Sequence, residues 1–188
     1  MRIIAGSCKG RRLTAPPGGE TRPTSDRTRE AVFNVLAHGI DWPGLDDAVV
    51  LDLYAGSGAL GLEALSRGAR HATFIDNADG ALKVARRNAA ELGLWRQATL
   101  LGLDATRLAP PPLAAQCPAA LAFLDPPYSQ DLVLPALLGL AGKGWIGAGS
   151  IIVAEMSSKE TMEPPKGYEL LDERTYGAAR VLFLERSA

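Results

Sequence analysis

From Ala48 onward, the chain alternates between short runs that are almost entirely apolar and longer stretches in which apolar residues recur at helical spacing. Runs of the first kind predict strands buried on both faces, as in a parallel sheet covered by helices. Such strands are predicted at residues 48–54, 71–77, 98–104, 120–126 and 150–156. Helices are predicted between them at residues 59–67, 79–92 and 131–141. The pattern therefore predicts an α/β fold.

The two ends of the chain depart from this alternation. Residues 168–186 contain two strand-like stretches that meet near Gly177, which predicts an antiparallel hairpin. Together with the five parallel strands, this hairpin predicts a mostly parallel seven-stranded sheet. Residues 2–14 predict a small hairpin, and residues 24–39 predict a helix. The expected parts are an N-terminal basic hairpin and helix at residues 1–40 and a main domain at residues 41–188.

Composition narrows the class of protein. The chain has 188 residues, of which 47% are hydrophobic and 22% charged, as is usual for a globular domain with its own core. The sequence has no apolar run of membrane-spanning length and no signal-peptide core. Cys8 and Cys117 are far apart and only two histidines accompany them, so no zinc-binding set is recognised. We expect a cytoplasmic monomer without a metal.

The net charge of −1 conceals an uneven distribution. Residues 1–29 carry seven arginines or lysines and two acidic residues, a balance of +5, whereas the rest of the chain carries −6. A basic segment on an acidic body favours a polyanionic partner, although a solvated surface segment would have the same composition. The candidate contacts are Arg11, Arg12, Arg22, Arg27 and Arg29.

A glycine-rich loop follows the first predicted strand of the main domain. In DLYAGSGALG, residues 52–61, the glycines Gly56, Gly58 and Gly61 fit the dinucleotide fingerprint G-x-G-x-x-G. Asp76 lies about twenty residues further on, where a carboxylate that binds ribose is expected. The same strand, loop and helix can hold either NAD or S-adenosylmethionine, and the fingerprint alone does not separate the two.

A second motif, Asp125-Pro126-Pro127-Tyr128, lies where the fourth parallel strand is predicted to end. Ligands bind beyond the carboxyl ends of such strands. The two prolines stiffen the turn and remove two backbone donors, which leaves carbonyl groups and a carboxylate as acceptors for an amino group. The tyrosine offers a flat face on which a planar ring can stack. A proline turn with a surface aspartate is the alternative without function.

Four segments carry a resemblance to a known family: MRIIAGSCKGRRL, RPTSDRTREAVFNVL, LDLYAGSGALGLEALSRGA and FLDPPY. Their order and spacing are similar to those of the RsmD family, whose members use S-adenosylmethionine to methylate the N2 amine of a guanine in small-subunit (16S) ribosomal RNA. The family usually has Phe at the position of Tyr54 and Glu at that of Asp76. The resemblance implies a Rossmann-like class I methyltransferase fold, with the basic N-terminal extension binding the RNA within a small-subunit particle.

The resemblance also implies which residues hold the cofactor. Asp52 would accept from its ammonium group, Asp76 from the ribose hydroxyls and Asp104 from the adenine amine. The backbone at Gly56 and Gly58 would approach the methionine part, where a side chain would block it. The implied set is Asp52, Tyr54, Ala55, Gly56, Ser57, Gly58, Asp76, Asn77, Asp104, Ala105 and Asp125. Asn34 and Glu63 also lie in matching segments, without an assigned role.

A mechanism follows from the acceptors in the second motif. The N2 amine of guanine is a poor nucleophile because its lone pair is delocalised into the ring. Hydrogen bonds from the amine to Asp125 and to the Pro126 carbonyl would free that lone pair, and Tyr128 would hold the flipped-out base. Two alternatives stay open: an amino-methyltransferase with another acceptor, such as a DNA adenine or a protein glutamine, and a non-catalytic module that binds NAD or RNA.

Overall fold

The structure is a computed structural model that describes residues 1–16, 25–128 and 130–187. The helices of this part are α1 Asp26–His38, α2 Ala59–Ser66, α3 Asp79–Glu91 and α4 Val133–Gly142. The strands are β1 Val49–Leu53, β2 His71–Asp76, β3 Ala98–Gly102, β4 Ala119–Leu124, β5 Ile146–Ser157, β6 Tyr168–Tyr176 and β7 Ala179–Arg186. Short 3₁₀ turns at Trp95–Gln97 and Leu113–Ala115 precede β3 and β4.

The strands described here form one sheet in the order β3-β2-β1-β4-β5-β7-β6. Neighbours from β3 to β5 are parallel, whereas β7 runs antiparallel to both β5 and β6. The predicted seven-stranded, mostly parallel sheet with a C-terminal antiparallel hairpin is therefore confirmed. From β1 the chain continues to β2 and β3 on one side of β1, and then returns to β4 on the other side, so the strand order reverses at β1. Ligand crevices form at such a reversal of strand order, at the carboxyl ends of the strands.

Apolar side chains cover both faces of the sheet. The face packed by α1 and α2 includes Phe33, Leu62 and Phe123, and the face packed by α4 includes Leu137 and Trp145, all at most 1% exposed. Because both faces are buried, the parallel strands contain almost no alternation of apolar and polar residues, which is the pattern that predicted them.

The predicted N-terminal hairpin is less regular than a pair of strands. Arg2 and Arg12 form an isolated antiparallel bridge, and Ile3 N–H donates to Arg11 O at 2.9 Å. Ile3 and Leu13 are 1% and 7% exposed and belong to the same apolar cluster as α1 and the sheet. The described residues of this N-terminal part, 1–16 and 25–40, thus share a core with the rest of the described chain.

Glu63, whose role the sequence did not reveal, holds this N-terminal segment against α2. Its side chain is fully buried and accepts the backbone N–H groups of Ile4 at 2.7 Å and Ala5 at 3.0 Å. Arg67 donates to it from the next turn of the helix at 2.7 Å. Since a buried carboxylate is costly unless it is paired and hydrogen-bonded, these contacts explain how Glu63 is accommodated.

Candidate active site

Four aspartates lie at or just beyond the carboxyl ends of neighbouring parallel strands. Asp52 belongs to β1 and Asp76 ends β2, whereas Asp104 and Asp125 follow β3 and β4. Asp125 and Asp76 both lie close enough to Asp52 to raise the pKa of its carboxyl group electrostatically. The sequence therefore predicted correctly that these side chains lie along one edge of the sheet.

Asp52 is the most enclosed of the four, with 2% of its surface exposed. Burial raises the pKa of its carboxyl to about 8, although the N–H of Gly61, which donates to Oδ2 at 2.8 Å, acts in the opposite direction. A carboxylate in this position is costly until a cation approaches, since a nearby opposite charge favours the ionised form. The site thus suits a ligand that brings a positive charge.

The glycines of the loop differ in what a side chain would meet. A Cβ at Gly61 would lie 2.5 Å from the Phe74 ring, so this position needs glycine for the packing of α2 on the sheet. Gly56 and Gly58 have φ of 55° and 77°, a region that favours glycine. A Cβ at Gly58 would lie 3.2 Å from Phe74, whereas at Gly56 its nearest neighbour would be Tyr54 O at 3.8 Å. Of these glycines, Gly56 is the one that leaves open space for a ligand.

Asp76 shapes the same loop. Its carboxylate accepts from Gly56 N–H at 2.9 Å and from Ala78 N–H at 2.8 Å. A carboxylate offers about four acceptor sites. Asp76 therefore holds the loop and retains capacity for hydroxyl donors, beside the exposed Asn77.

Asp104 is exposed and ionised. Thr106 donates to Oδ1 through its hydroxyl at 2.7 Å and its N–H at 2.9 Å, and these bonds lower the pKa of the carboxyl. The negative charge helps to raise the pKa of Tyr54 to about 12, after the larger effect of burial. Tyr54, at φ 61°, donates through its hydroxyl to Leu132 O at 3.2 Å. A Phe could not make this contact, which joins the glycine loop to the segment before α4.

Tyr128 is held by a residue that the sequence analysis did not select. Its hydroxyl donates to Glu155 Oε1 at 2.6 Å, and 38% of the residue is exposed. Burial of the ring and the bond to Glu155 both raise the pKa of the phenol, which remains protonated and a donor. Glu155 follows Ala154, the partner of Leu124 in the β4–β5 register, so it lies across from Asp125. An acidic residue within the mostly apolar run SIIVAEM was the signal in the sequence that could have identified Glu155.

A cavity of about 250 Å³ opens beside this motif. Pro126, Tyr128 and Met156 line it together with two carboxylate residues, Asp131 and Glu160. None of the described residues that line it is basic. A planar ring that presents several N–H donors would therefore find acceptors and a stacking face here.

The candidate RNA contacts separate into three groups. Arg11, Arg12 and Arg27 are exposed, as a phosphate contact requires, whereas Arg22 lies outside the described residues. The prediction for Arg29 is wrong, because its side chain is fully buried in ion pairs with Asp26 at 2.8 Å and Glu63 at 3.9 Å. Arg29 stabilises the N-terminal segment and is not accessible to a phosphate.

The described residues contain neither a metal-binding cluster nor a membrane-spanning helix. No group of three or more His, Cys, Asp or Glu side chains in this part is arranged to hold a metal ion. No helix of the described chain has the length and apolar character needed to cross a membrane.

The sheet order, the glycine loop and the aspartates at the strand ends define a Rossmann-like class I methyltransferase fold. A family model described as Conserved hypothetical protein 95 matches residues 1–185, and the chain belongs to this family. The resemblance to RsmD proteins is confirmed by relatives named Ribosomal RNA small subunit methyltransferase D in Escherichia coli and Haemophilus influenzae.

The Escherichia coli (strain K12) relative, Ribosomal RNA small subunit methyltransferase D, is 33% identical over 189 residues, which cover 100% of this chain and 91% of that protein. A Bacillus subtilis relative named YlbH, a candidate rRNA methyltransferase, is 36% identical over 188 residues and 99% of both chains. Among solved structures, the candidate methyltransferase yhhF from Escherichia coli matches with a TM-score of 0.83 at 33% identity, covering 100% of this chain and 98% of that chain.

Proposed function

We propose that this protein transfers a methyl group from S-adenosylmethionine to the exocyclic N2 amine of a guanine in small-subunit ribosomal RNA. The observation that carries the proposal is the Asp125-Pro126-Pro127-Tyr128 motif beside a cavity of about 250 Å³, one strand away from the glycine loop. The names of the relatives support ribosomal RNA as the substrate.

The carboxylates at the strand ends fit S-adenosylmethionine, which supplies an electrophilic methyl group when bound. Asp52 would pair with the ammonium group, which would stabilise the ionised carboxylate that burial otherwise disfavours. Asp76 would accept the ribose hydroxyls. Asp104 would accept the adenine amine, and the neighbouring Ala105 would offer a backbone N–H to the ring. The open space at Gly56 leaves room for the ligand against the backbone.

The acceptors around Asp125 would activate the target amine. The two N2 hydrogens of guanine would donate to the Asp125 carboxylate and to the Pro126 carbonyl, drawing the nitrogen toward tetrahedral geometry. The nitrogen lone pair would then be available for in-line transfer, in which positioning supplies most of the rate. The Asp125 charge would also offset the positive charge that develops on nitrogen.

The cavity favours guanine over adenine. The Watson–Crick edge of guanine presents N1–H next to the N2 amine, whereas adenine presents an N1 acceptor next to its amine. The carboxylates of Asp131 and Glu160 would accept a hydrogen bond from N1–H of guanine. With adenine, these carboxylates would face the N1 lone pair, and no hydrogen bond would form between the two acceptors. Tyr128, oriented by Glu155, would stack on the base after it leaves its helix.

The test uses small ribosomal subunits from cells that lack this enzyme, naked small-subunit rRNA, DNA and total protein, each with methyl-labelled S-adenosylmethionine. RNA from the subunits is digested to nucleosides and separated by chromatography. The expected product is labelled N2-methylguanosine, formed by wild type and lost with Asp125→Ala. Label in methylated adenosine, in DNA or in a protein glutamine would overturn the proposed acceptor.

A further inference from the structure

The 3₁₀ turn Trp95–Gln97, which follows α3, carries an exposed tryptophan beside an arginine. Trp95 is 58% exposed, and the Arg96 guanidinium lies 5.1 Å from its ring centroid. The other two tryptophans differ: Trp145 is 0% exposed, and Trp42 is half-buried and donates to Leu36 O at 2.6 Å. Exposure of so large an apolar ring together with a cation is typical of surfaces that stack on unpaired bases.

This end of α3 is continuous with the basic N-terminal segment. Arg11 donates through Nη2 to Glu91 O, the last residue of the helix, at 2.6 Å. Cys8 Sγ lies 3.8 Å from Leu92 O one residue further on. The two segments, far apart in sequence, therefore meet at one surface. We call it the α3-end surface and define it by Arg11 with its exposed chain neighbour Arg12, and by Arg87, Glu91, Trp95 and Arg96.

The charge of the α3-end surface favours RNA over protein. The residues that define this surface include four arginines and one carboxylate, Glu91, with which Arg87 forms an ion pair at 2.7 Å. Guanidinium groups are costly to bury in a protein interface unless carboxylates pair with them, whereas RNA phosphates are bound by arginines around an exposed base. Since Arg96 lies over the Trp95 ring, a base would stack on the remaining exposed area of the indole.

We infer that the α3-end surface binds an unpaired segment of the substrate RNA, with a base stacked on Trp95 and phosphates held by Arg11, Arg12 and Arg96. This inference rests on the proposed RNA substrate and adds a contact site separate from the catalytic edge. α3 begins three residues after Asp76 and runs for 13 residues, about 20 Å, so its last residue lies about that far along the helix from the end of β2. Contacts there act on RNA affinity and leave the reacting groups untouched.

The experiment measures binding of in vitro transcribed small-subunit rRNA over a range of salt concentrations, and methyl transfer at saturating RNA. Trp95→Ala should weaken RNA binding about 5- to 100-fold, and Trp95→Phe should restore most of it because a phenyl ring still stacks. Arg96→Ala should lower the salt slope by about one. Arg174→Ala, an exposed arginine on the distant β6 edge, is the control and should change neither property. The maximal transfer rate should be unchanged in all four variants.

Fluorescence gives a second, direct measurement. Trp95 is the tryptophan most open to acrylamide, and bound RNA should protect it from quenching. Two results together would overturn the inference while leaving the proposed N2 methylation of guanine intact. Trp95→Ala would bind RNA with wild-type affinity, and Trp95 of the wild-type protein would still be quenched by acrylamide in the RNA complex. Loss of binding to small subunits with normal binding to naked rRNA would assign the surface to a protein partner and also overturn it. Failure of the wild type to bind rRNA at all would overturn both this inference and the proposed function.

Discussion

The side chain of Asn88 joins the glycine loop to the N-terminal segment through a 2.9 Å hydrogen bond from its amide nitrogen to Ser57 O. The same amide donates to Thr14 O and accepts from Thr14 N–H, both at 2.9 Å. Asn88 is 1% exposed, so these bonds replace water entirely. The segment that carries the exposed arginines and the loop proposed to hold the cofactor are thus connected through one buried side chain.

Asn88→Ala should therefore weaken cofactor binding as well as stability. The substitution leaves backbone groups of Thr14 and Ser57 without partners, and each buried unpaired group costs about 1–3 kcal/mol. Because Thr14 is only half-buried, water can replace part of its lost bonds, and we expect the free energy of unfolding to fall by roughly 2–4 kcal/mol in total. Binding of S-adenosylhomocysteine, measured by calorimetry, should weaken because the loop at Ser57 is no longer held.

The matched control for that substitution is Asn34→Ala, since Asn34 is an exposed asparagine on α1. An exposed substitution usually changes stability by less than about 0.5 kcal/mol. If Asn88→Ala behaves like Asn34→Ala in both unfolding and ligand titration, Asn88 does not hold the loop.

Asp52 should make stability depend on pH. Burial raises its pKa in the folded protein to about 8, whereas the pKa of an aspartate in the unfolded chain is about 3.9. The folded state therefore retains a proton that the unfolded chain releases, and the stability that this proton contributes is lost as pH rises through about 8. Asp52→Asn should remove this loss.

Urea unfolding of both proteins without ligand provides the measurement. From about pH 5 to about pH 8, the free energy of unfolding should fall more steeply for wild type than for Asp52→Asn. Parallel curves for the two proteins over this range would show that Asp52 titrates normally and is not desolvated.

The bond between Tyr128 and Glu155 can be tested with a double-mutant cycle. Tyr128→Phe and Glu155→Ala each remove the same 2.6 Å hydrogen bond, so either should loosen the ring proposed to stack on the base. We expect each to raise KM for RNA about 5-fold, the equivalent of ~1 kcal/mol, with a smaller change in kcat. The double variant should be no worse than the poorer single one, because the bond can be lost only once. Additive effects would mean that the two residues act separately.

Much of this architecture could be predicted from the sequence because buried parallel strands are continuous apolar runs. β1, β2, β3 and β4 each leave an aspartate at or just after the strand, and parallel carboxyl ends meet at one edge. The start of α4 was predicted two residues early, since Asp131 at φ 52° cannot continue a helix. A conformation of this kind is set by the surrounding turn and leaves little trace in hydrophobic spacing.

Contacts between distant segments could not be predicted in the same way. Arg29 was counted as an RNA contact because charge along a chain does not show which arginine is buried. Its partner Glu63 lies on another helix, and that pairing exists only once α1 and α2 pack. Glu155 faces Tyr128 because of the register between β4 and β5, and that register is a property of the folded sheet.

Single-turnover methyl transfer by Asp125→Ala, at saturating RNA and cofactor, tests the proposed catalytic role most directly. The substitution removes one acceptor of the target amine and the charge that offsets the developing positive charge. Loss of such a preorganised partner typically costs about a hundred- to a thousand-fold in rate, or ~3–4 kcal/mol. Asp125→Asn should retain more activity because it keeps one acceptor oxygen. S-adenosylhomocysteine affinity should change much less than the rate in either variant. Near-normal transfer by Asp125→Ala, with cofactor affinity intact, would contradict the assignment of Asp125 to the catalytic centre.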